Sequence, residues 1–387
     1  LVLEKMKTLI ITCGCLEPSK DGIGDYCFNL AKAIKLLGVK VVLVSINDFY
    51  VKSFREETRE DIQLCRIPAR NSWQQKYRLF KNISETVSPD HISFQYVTYA
   101  FHKKGLPVVA HQFLVGILKS YEVSIMMHEP WIGRSKEDSL RHKVIGYFQQ
   151  IIIKQLINGI SPIKVFTSNI AFSRLLKENG IQNKVLPLFS NIPFSKNALQ
   201  QLPQLFNENQ LFLFEKSLKI VLFGRIPFSW RKEEFVGWLK DKNVTIMVAG
   251  RSDQDSADNL RHEIKGLSAK INFIALGELS KEQVSTLLQY ADAGLALTPP
   301  QILGKSGVVA AYKEHGLPII LAGNNELFLE TDVTYLEQLD KLSLDISLDD
   351  QLEKLKRKPS YSGVQLIAET FLHGVSGLKK AKNAYPI

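Results

Sequence analysis

The strongest constraint on this chain is a rhythm. Short apolar runs that stop at glycine or at polar turn residues alternate with longer stretches of helical periodicity. "KTLIITCG" (7–14) reads as a strand, and "GDYCFNLAKAIKLLG" (24–38) as a helix with Phe28, Leu30, Ala31, Ile34 and Leu37 on one face and Gly38 as its stop. "VKVVLVSI" (39–46) is the next strand. "HISFQYV" (91–97), "VSIMMHE" (123–129) and "IKVFTSN" (163–169) read as later strands, with a buried helix "KVIGYFQQIIIKQLI" (143–157) between the last two. Such alternation predicts a parallel sheet, because parallel neighbours need a crossover long enough to hold a helix.

The rhythm then breaks and restarts. From Asn191 to Ser217 the sequence is irregular and polar, as an interdomain linker would be. A second series follows: strand "SLKIVLFG", helix "RKEEFVGWLKD", strand "NVTIMVAG", helix "SDQDSADNLRHEIKGL", strand "INFIALG". Helix "SKEQVSTLLQYA" carries a Ser280-to-Gln283 capping box, and strand "AGLALTP", helix "GVVAAYKEHG" and strand "LPIILAG" complete the series. "SYSGVQLIAETFLHGVSGLKKA" is a final amphipathic helix. The expected division is a first domain over 1–195, a linker over 196–217, a second domain over 218–360, and a helical segment over 361–387 packing back toward the first domain. The fold class is α/β: two tandem doubly wound, Rossmann-like domains whose strand carboxyl ends face a shared cleft, where ligands of such folds bind.

Of the 387 residues, 45% are hydrophobic and 23% charged, without a low-complexity tract, which excludes extensive disorder. No apolar run has the length of a spanning helix, and "MKTLIITCGCLEP" lacks a secretory cleavage pattern. Cys13, Cys15, Cys27 and Cys65 read as reduced buried thiols, since Cys13-Gly14-Cys15 is too tight for an ordinary disulfide or zinc pair. The net charge of +10 favours an anionic partner: nucleotide phosphates, lipid headgroups or nucleic acid. Nucleic acid fits least, because the basic residues are dispersed and not interleaved with aromatics.

The stretch "TPPQILGKSGVVAAYKEHGLPII" (298–320) places Gly304-Lys305-Ser306-Gly307 at a helix start. It is not the phosphate loop of nucleotide hydrolases, since Pro299 stands where the first glycine belongs. Amides of Ser306, Gly307 and Val308 at a helix start, with Lys305 beside them, still suit an anion; a plain helix cap by Ser306 is the alternative. Arg225 follows Gly224 at a strand end, with Arg231 and Lys232 soon after. A guanidinium and an ammonium there would clamp a diphosphate, unless Arg231 and Lys232 simply begin a solvated helix. His128 and Glu129 end a strand of the first sheet, where His128 would contact a sugar or act as a base, or else serve only as a buried hydrogen-bonding histidine. Asp25 and Glu129 are the further catalytic candidates, unless either is only a helix-start charge or a surface group, and Trp131 and Gly133 follow in a loop suited to an acceptor pocket.

As an ordered set, these motifs resemble the glycosyltransferases of the two-Rossmann GT-B fold, and most of all the large family-four, or "group 1", enzymes. The resemblance rests on "DGIGDYCFNLAKAIKLLGVKVVLV", "MHEPW", "VFTSN", "FGR", "VAGR", "LGELSKEQVSTLLQYADAGLALTPP" and "HGLPII". It implies that Gly22, Ile23 and Gly24 face the donor phosphates and acceptor. Gly224, Arg225 and either Arg231 or Lys232 would bind the diphosphate, with Gly250 and Arg251 ending the next strand. Gly277, Glu278 and Leu279 would recognise the base through backbone groups, and Gly304, Lys305, Ser306 and Gly307 would hold phosphate or sugar. One departure stands out: the family's two glutamates, eight residues apart, fall here on Leu303 and Ala311, with Glu314 nearby but on a neighbouring helix position.

The expectation is transfer of a hexosyl group, glucosyl above others, from a UDP-sugar to a saccharide or lipid-linked saccharide acceptor. The place would be exopolysaccharide or envelope glycan synthesis at the cytoplasmic face of a membrane, with peripheral attachment compatible with the charge. No cofactor and no metal is expected, as no His/Cys cluster with ligand spacing occurs. The rivals are a scaffold that binds a nucleotide sugar without turnover and a GT-B-like sugar-nucleotide epimerase.

Overall fold

The computed structural model describes residues 6–134, 138–224, 226–227, 230–239, 242–250, 260–264, 270–324 and 341–375. The chain forms two compact units, Leu1–Pro187 with Val364–Ile387, and Leu188–Gly363.

The first unit holds an eight-stranded sheet: β1 (Thr8–Cys13), β2 (Lys40–Asp48), β3 (Arg55–Arg59), β4 (Ile62–Pro68), β5 (His91–Val97), β6 (Val123–Glu129), β7 (Lys164–Thr167) and β8 (Lys184–Val185), in the order β3-β4-β2-β1-β5-β6-β7-β8. All neighbours are parallel except β3, which pairs antiparallel with β4. The charged "REETR" of β3 closes that edge against further pairing. Five helices connect the strands: α1 (Gly22–Leu36), α2 (Trp73–Val87), α3 (Val108–Leu118), α4 (Leu140–Ile160) and α5 (Ile170–Glu178). Strands β1, β2, β5 and β6 are buried nearly end to end, as parallel strands covered on both faces must be. The helix Gly363–Val375 lays Phe371 against Phe166 of β7 and His91 of β5.

The second unit holds β9 (Leu218–Phe223), β10 (Val244–Ala249), β11 (Ile271–Gly277), β12 (Ala293–Ala296), β13 (Ile319–Leu321) and β14 (Lys341–Ser343), all parallel, in the order β11-β10-β9-β12-β13-β14. Side chains alternate faces along each strand. Ile220, Leu222, Val244, Ile246, Val248 and Leu295 therefore join one core, and Val221, Met247, Ala249 and Ala296 join the other. Helices α6 (Glu208–Glu215), α7 (Lys232–Leu239), α8 (Lys281–Tyr290) and α9 (Gly307–Glu314) flank the sheet. The stretch 196–217, expected as a linker, folds as part of this unit. Phe206 and Phe214 are buried edge to face, 4.7 Å between centroids, and both lie against Tyr290 of α8. The expected helix over 252–267 falls largely outside the described residues, of which 260–264 are helical.

Near the end of α9, the buried Glu314 carboxylate accepts from the amides of Ser190 and Gly363, in the first and last segments of this unit. Burial pushes its pKa up to about 7 against the pull of those two donors and of Lys313.

Candidate functional site

In a doubly wound sheet the ligand crevice opens where strand order reverses, outside the carboxyl ends. In the second unit that reversal lies between β9 and β12. Gly224 follows β9 with φ +97, and Gly250 follows β10 with φ +143. A Cβ on Gly250 would stand 2.8 Å from the Gly224 oxygen and 3.0 Å from its nitrogen, so two loop backbones touch where no side chain fits. Gly224 donates to the Ala249 carbonyl and Gly250 to that of Gly277, which chains the three strand ends together.

The corner 304–307 meets this edge. The loop after β12 runs through a 3₁₀ turn, Pro300–Lys305, into α9. Ser306 is the N-cap: its hydroxyl accepts from Val309 N–H at 3.3 Å and from the Thr298 hydroxyl at 3.3 Å. Val308 at the start of α9 reaches within 3.0 Å of where a Gly224 Cβ would stand. The Ser306 amide, expected to be open, donates to the Leu303 carbonyl as the turn tightens. The amides of Gly307 and Val308 remain as first-turn donors with no acceptor among the described residues. A Cβ on Gly307 would meet nothing within 4 Å, so the corner has room beside those donors. Lys305 lies in the corner itself and has contacts of its own; Glu278, which also has contacts, follows β11 three strands away, and Leu279 packs partly into the core.

Arg231 and Lys232, placed by the sequence at a diphosphate, have carboxylate partners within the unit. Arg231 holds Glu234 and, at 2.6 Å, Asp345; Lys232 holds Glu263. They stand at the start of α7, with side chains 16% and 19% exposed, and are engaged within the unit. Arg225 and Arg251 lie outside the described residues. Leu303 and Ala311 are buried in the second core among Tyr312, Val309 and Leu287, so the two glutamate positions of the resembled family are structural apolar positions here.

The carboxyl edge of the first unit is arranged differently. Asp21, not singled out from the sequence, is the N-cap of α1 and accepts from the amides of Ile23 at 2.8 Å and Gly24 at 3.3 Å. The amides of two of the three residues expected to face the donor phosphates and acceptor are therefore engaged by Asp21. Asp-x-x at a helix start is the signal that marked this cap. Gly24 has a packing reason to lack a side chain, since a Cβ would stand 2.7 Å from the Cys15 carbonyl. Asp25 accepts from Ser19 N–H at 3.2 Å and braces the turn before the helix; Gly22 is exposed beside it. The loop is braced again from β2. Asp48 accepts from Leu16, Tyr50 and Ser45 and forms a two-pronged pair with Arg66 through Nε and Nη2 (2.9 and 3.0 Å), and the same Nη2 also reaches Glu17. Burial pushes the Asp48 pKa up, but Arg66 and the two backbone donors outweigh it and hold it below its ordinary value.

His128 is buried at the end of β6, edge-on to Tyr26 of α1 at 5.1 Å. Its Nε2 stands 2.9 Å from the Gln95 carbonyl oxygen, while the Gln95 amide donates to Ser93. The Gln95 oxygen can only accept, so Nε2 carries the proton and Nδ1 the lone pair. Burial holds the pKa down to about 3, which makes His128 a neutral hydrogen-bonding group and a weak base. Glu129 is exposed on the next residue. Trp131 packs against the core, and a Cβ on Gly133 would press on α4 at His142 and Lys143, so both positions serve packing. The four cysteines are free and buried, and no group of three or more His, Cys, Asp or Glu is placed to hold a metal among the described residues.

No family model matches the chain, and no curated protein matches it by sequence. Solved structures do match in fold. A sucrose-phosphate synthase from Thermosynechococcus elongatus aligns over 96% of this chain and 94% of its own, with TM-score 0.58 and 14% identity. Anabaena Alr3699/HepE, in complex with UDP and glucose, aligns over 95% of both chains with TM-score 0.54 and 15% identity. A UDP-forming α,α-trehalose-phosphate synthase from Burkholderia vietnamiensis aligns over 96% and 94% with TM-score 0.54 and 11% identity. The chain thus has, along nearly its whole length, the fold of these proteins: two tandem Rossmann-like domains of the GT-B type.

Proposed function

We propose that this chain is a glycosyltransferase that moves a hexosyl group, glucosyl above others, from a UDP-sugar to a saccharide acceptor. The observation that carries the reading is the corner at the switch point of the second sheet. Gly224 and Gly250 clear the edge, the Gly307 and Val308 amides point out of a helix start, and Lys305 lies beside them. Support comes from the folds it resembles, whose names specify UDP release or bound UDP and glucose. Breaking the glycosidic bond places negative charge on the leaving diphosphate. Donors fixed beforehand stabilise that charge without rearranging. In this reading Lys305 and Arg225 supply the full charges at the diphosphate, and no metal or cofactor takes part.

The buried Leu303 and Ala311 favour one second reading, a scaffold that binds the nucleotide sugar without turning it over. Release of UDP from UDP-glucose, measured with and without saccharide acceptors, separates the two: turnover supports the transferase, whereas tight UDP binding without turnover supports the scaffold. Lys305→Ala and Arg225→Ala should each weaken UDP binding by roughly 1.5 to 3 kcal/mol, the value of a charged hydrogen bond. Unchanged affinity in both removes the diphosphate assignment.

A further inference from the structure

We infer that one face of the first unit docks on an anionic lipid surface. The face is built on α4, whose first half turns an apolar stripe to solvent: Leu140 is 78% exposed, Val144 48%, Tyr147 61% and Phe148 49%. These positions, i, i+4, i+7 and i+8, share one side of the helix, and Ile151 continues the line. The opposite side is fully used, with Gly146, Gln149, Ile152, Ile153 and Leu156 packed inward. A surface helix that is apolar on both sides has an unfilled partner on the outer one. Helix α3 widens the patch. Gly105 lies against Gln149, and Val115 against Gly159, so α3 runs alongside the second half of α4 and adds the exposed Val108 and Val109 of its first turn beside the middle of that helix.

Charge decides the class of partner. Residues 91–121 and 139–177, which contribute both helices, contain no aspartate or glutamate. Arg141 and Lys143 flank the stripe on either side, and Lys103 and Lys104 are exposed just before α3. The nearest described carboxylate, Asp138, is engaged with His142 at 3.2 Å. Aromatic and aliphatic side chains between cations, on a helix lying flat, suit the headgroup layer of an acidic bilayer. A protein partner would instead be expected to leave some acidic counterpart on so large a surface. No helix among the described residues is long and apolar enough to cross a membrane, so the attachment is lateral. The inference does not depend on the transferase reading, because it uses neither the corner 304–307 nor His128.

Flotation with vesicles tests it. The full chain should float with vesicles of phosphatidylcholine and phosphatidylglycerol in equal parts, and remain behind with phosphatidylcholine alone or at high salt. The double variants Tyr147→Ser/Phe148→Ser and Arg141→Glu/Lys143→Glu should each lower partitioning by about tenfold or more, given about fivefold per lost cation. Their melting curves and UDP affinity should stay as in the parent chain, which separates lost docking from lost folding. Absence of the parent from acidic vesicles, or equal flotation of both variants, overturns the inference. So does sedimentation showing a dimer that Tyr147→Ser/Phe148→Ser dissolves while vesicles are ignored, for then a second copy covers the stripe.

Discussion

At residue scale, the two positions most in tension with the family resemblance are explained by packing. Leu303 is 1% exposed and Ala311 fully buried, both among aliphatic and aromatic neighbours. A carboxylate at either would be charged, buried and unpaired. Leu303→Glu and Ala311→Glu are therefore expected to destabilise the second unit by about 3 to 5 kcal/mol, the scale of an uncompensated buried charge. Chemical denaturation checks this; a gain of activity without loss of stability would show that the corner tolerates the family's arrangement. The same scale explains what the sequence concealed at Gly22-Ile23-Gly24. The resemblance implies a loop facing the donor phosphates and acceptor, but whether Asp21 caps its amides depends on backbone angles, which spacing alone does not reveal.

At element scale, the strands were legible because a parallel strand is apolar throughout and ends at a turn residue, as "KTLIITCG" and "NVTIMVAG" do. The pair β3–β4 was not, since "REETR" is an edge strand selected for charge rather than for burial. Helix α2 was overlooked although its Ser72-to-Gln75 capping box was present, because its apolar residues are few. The region 196–217 looked like linker because its polar residues outnumber the two phenylalanines that bury it. The glycine edge of the second sheet is an element-scale device: three strand ends are chained by Gly224, Gly250 and Gly277. Gly250→Ala would force a Cβ against the Gly224 backbone from a positive φ, and should cost about 1 to 3 kcal/mol. Thermal melting of the variant reads that cost, and an unchanged melting point would mean that the contact relaxes freely.

At the scale of the whole molecule, acid stability follows from buried imidazoles. In the first unit, burial holds His91 and His111 down to about 4 and His128 to about 3, against an ordinary 6.5. The unfolded chain then binds protons that the folded chain refuses. The stability these groups contribute is complete above 6.5 and is lost as pH falls toward 4 and 3, by about 2 kcal/mol per histidine near pH 5. Glu314, raised to about 7, acts oppositely in the second unit: its contribution is present below 4.5 and lost as pH rises through 7. Urea titrations at about pH 7.5 and about pH 5 should show the transition of the first unit moving to lower urea on acidification. A constant midpoint would mean that those rings stay accessible to protons.

That same glutamate matters for engineering. One carboxylate grips both the opening and the closing segment of residues 188–363, so the two ends of this unit lie side by side. For gene design it is a cassette: one uninterrupted segment between Pro187 and Val364 of the first unit. A cassette with adjacent ends can be cut out, recircularised or exchanged with little strain on either partner.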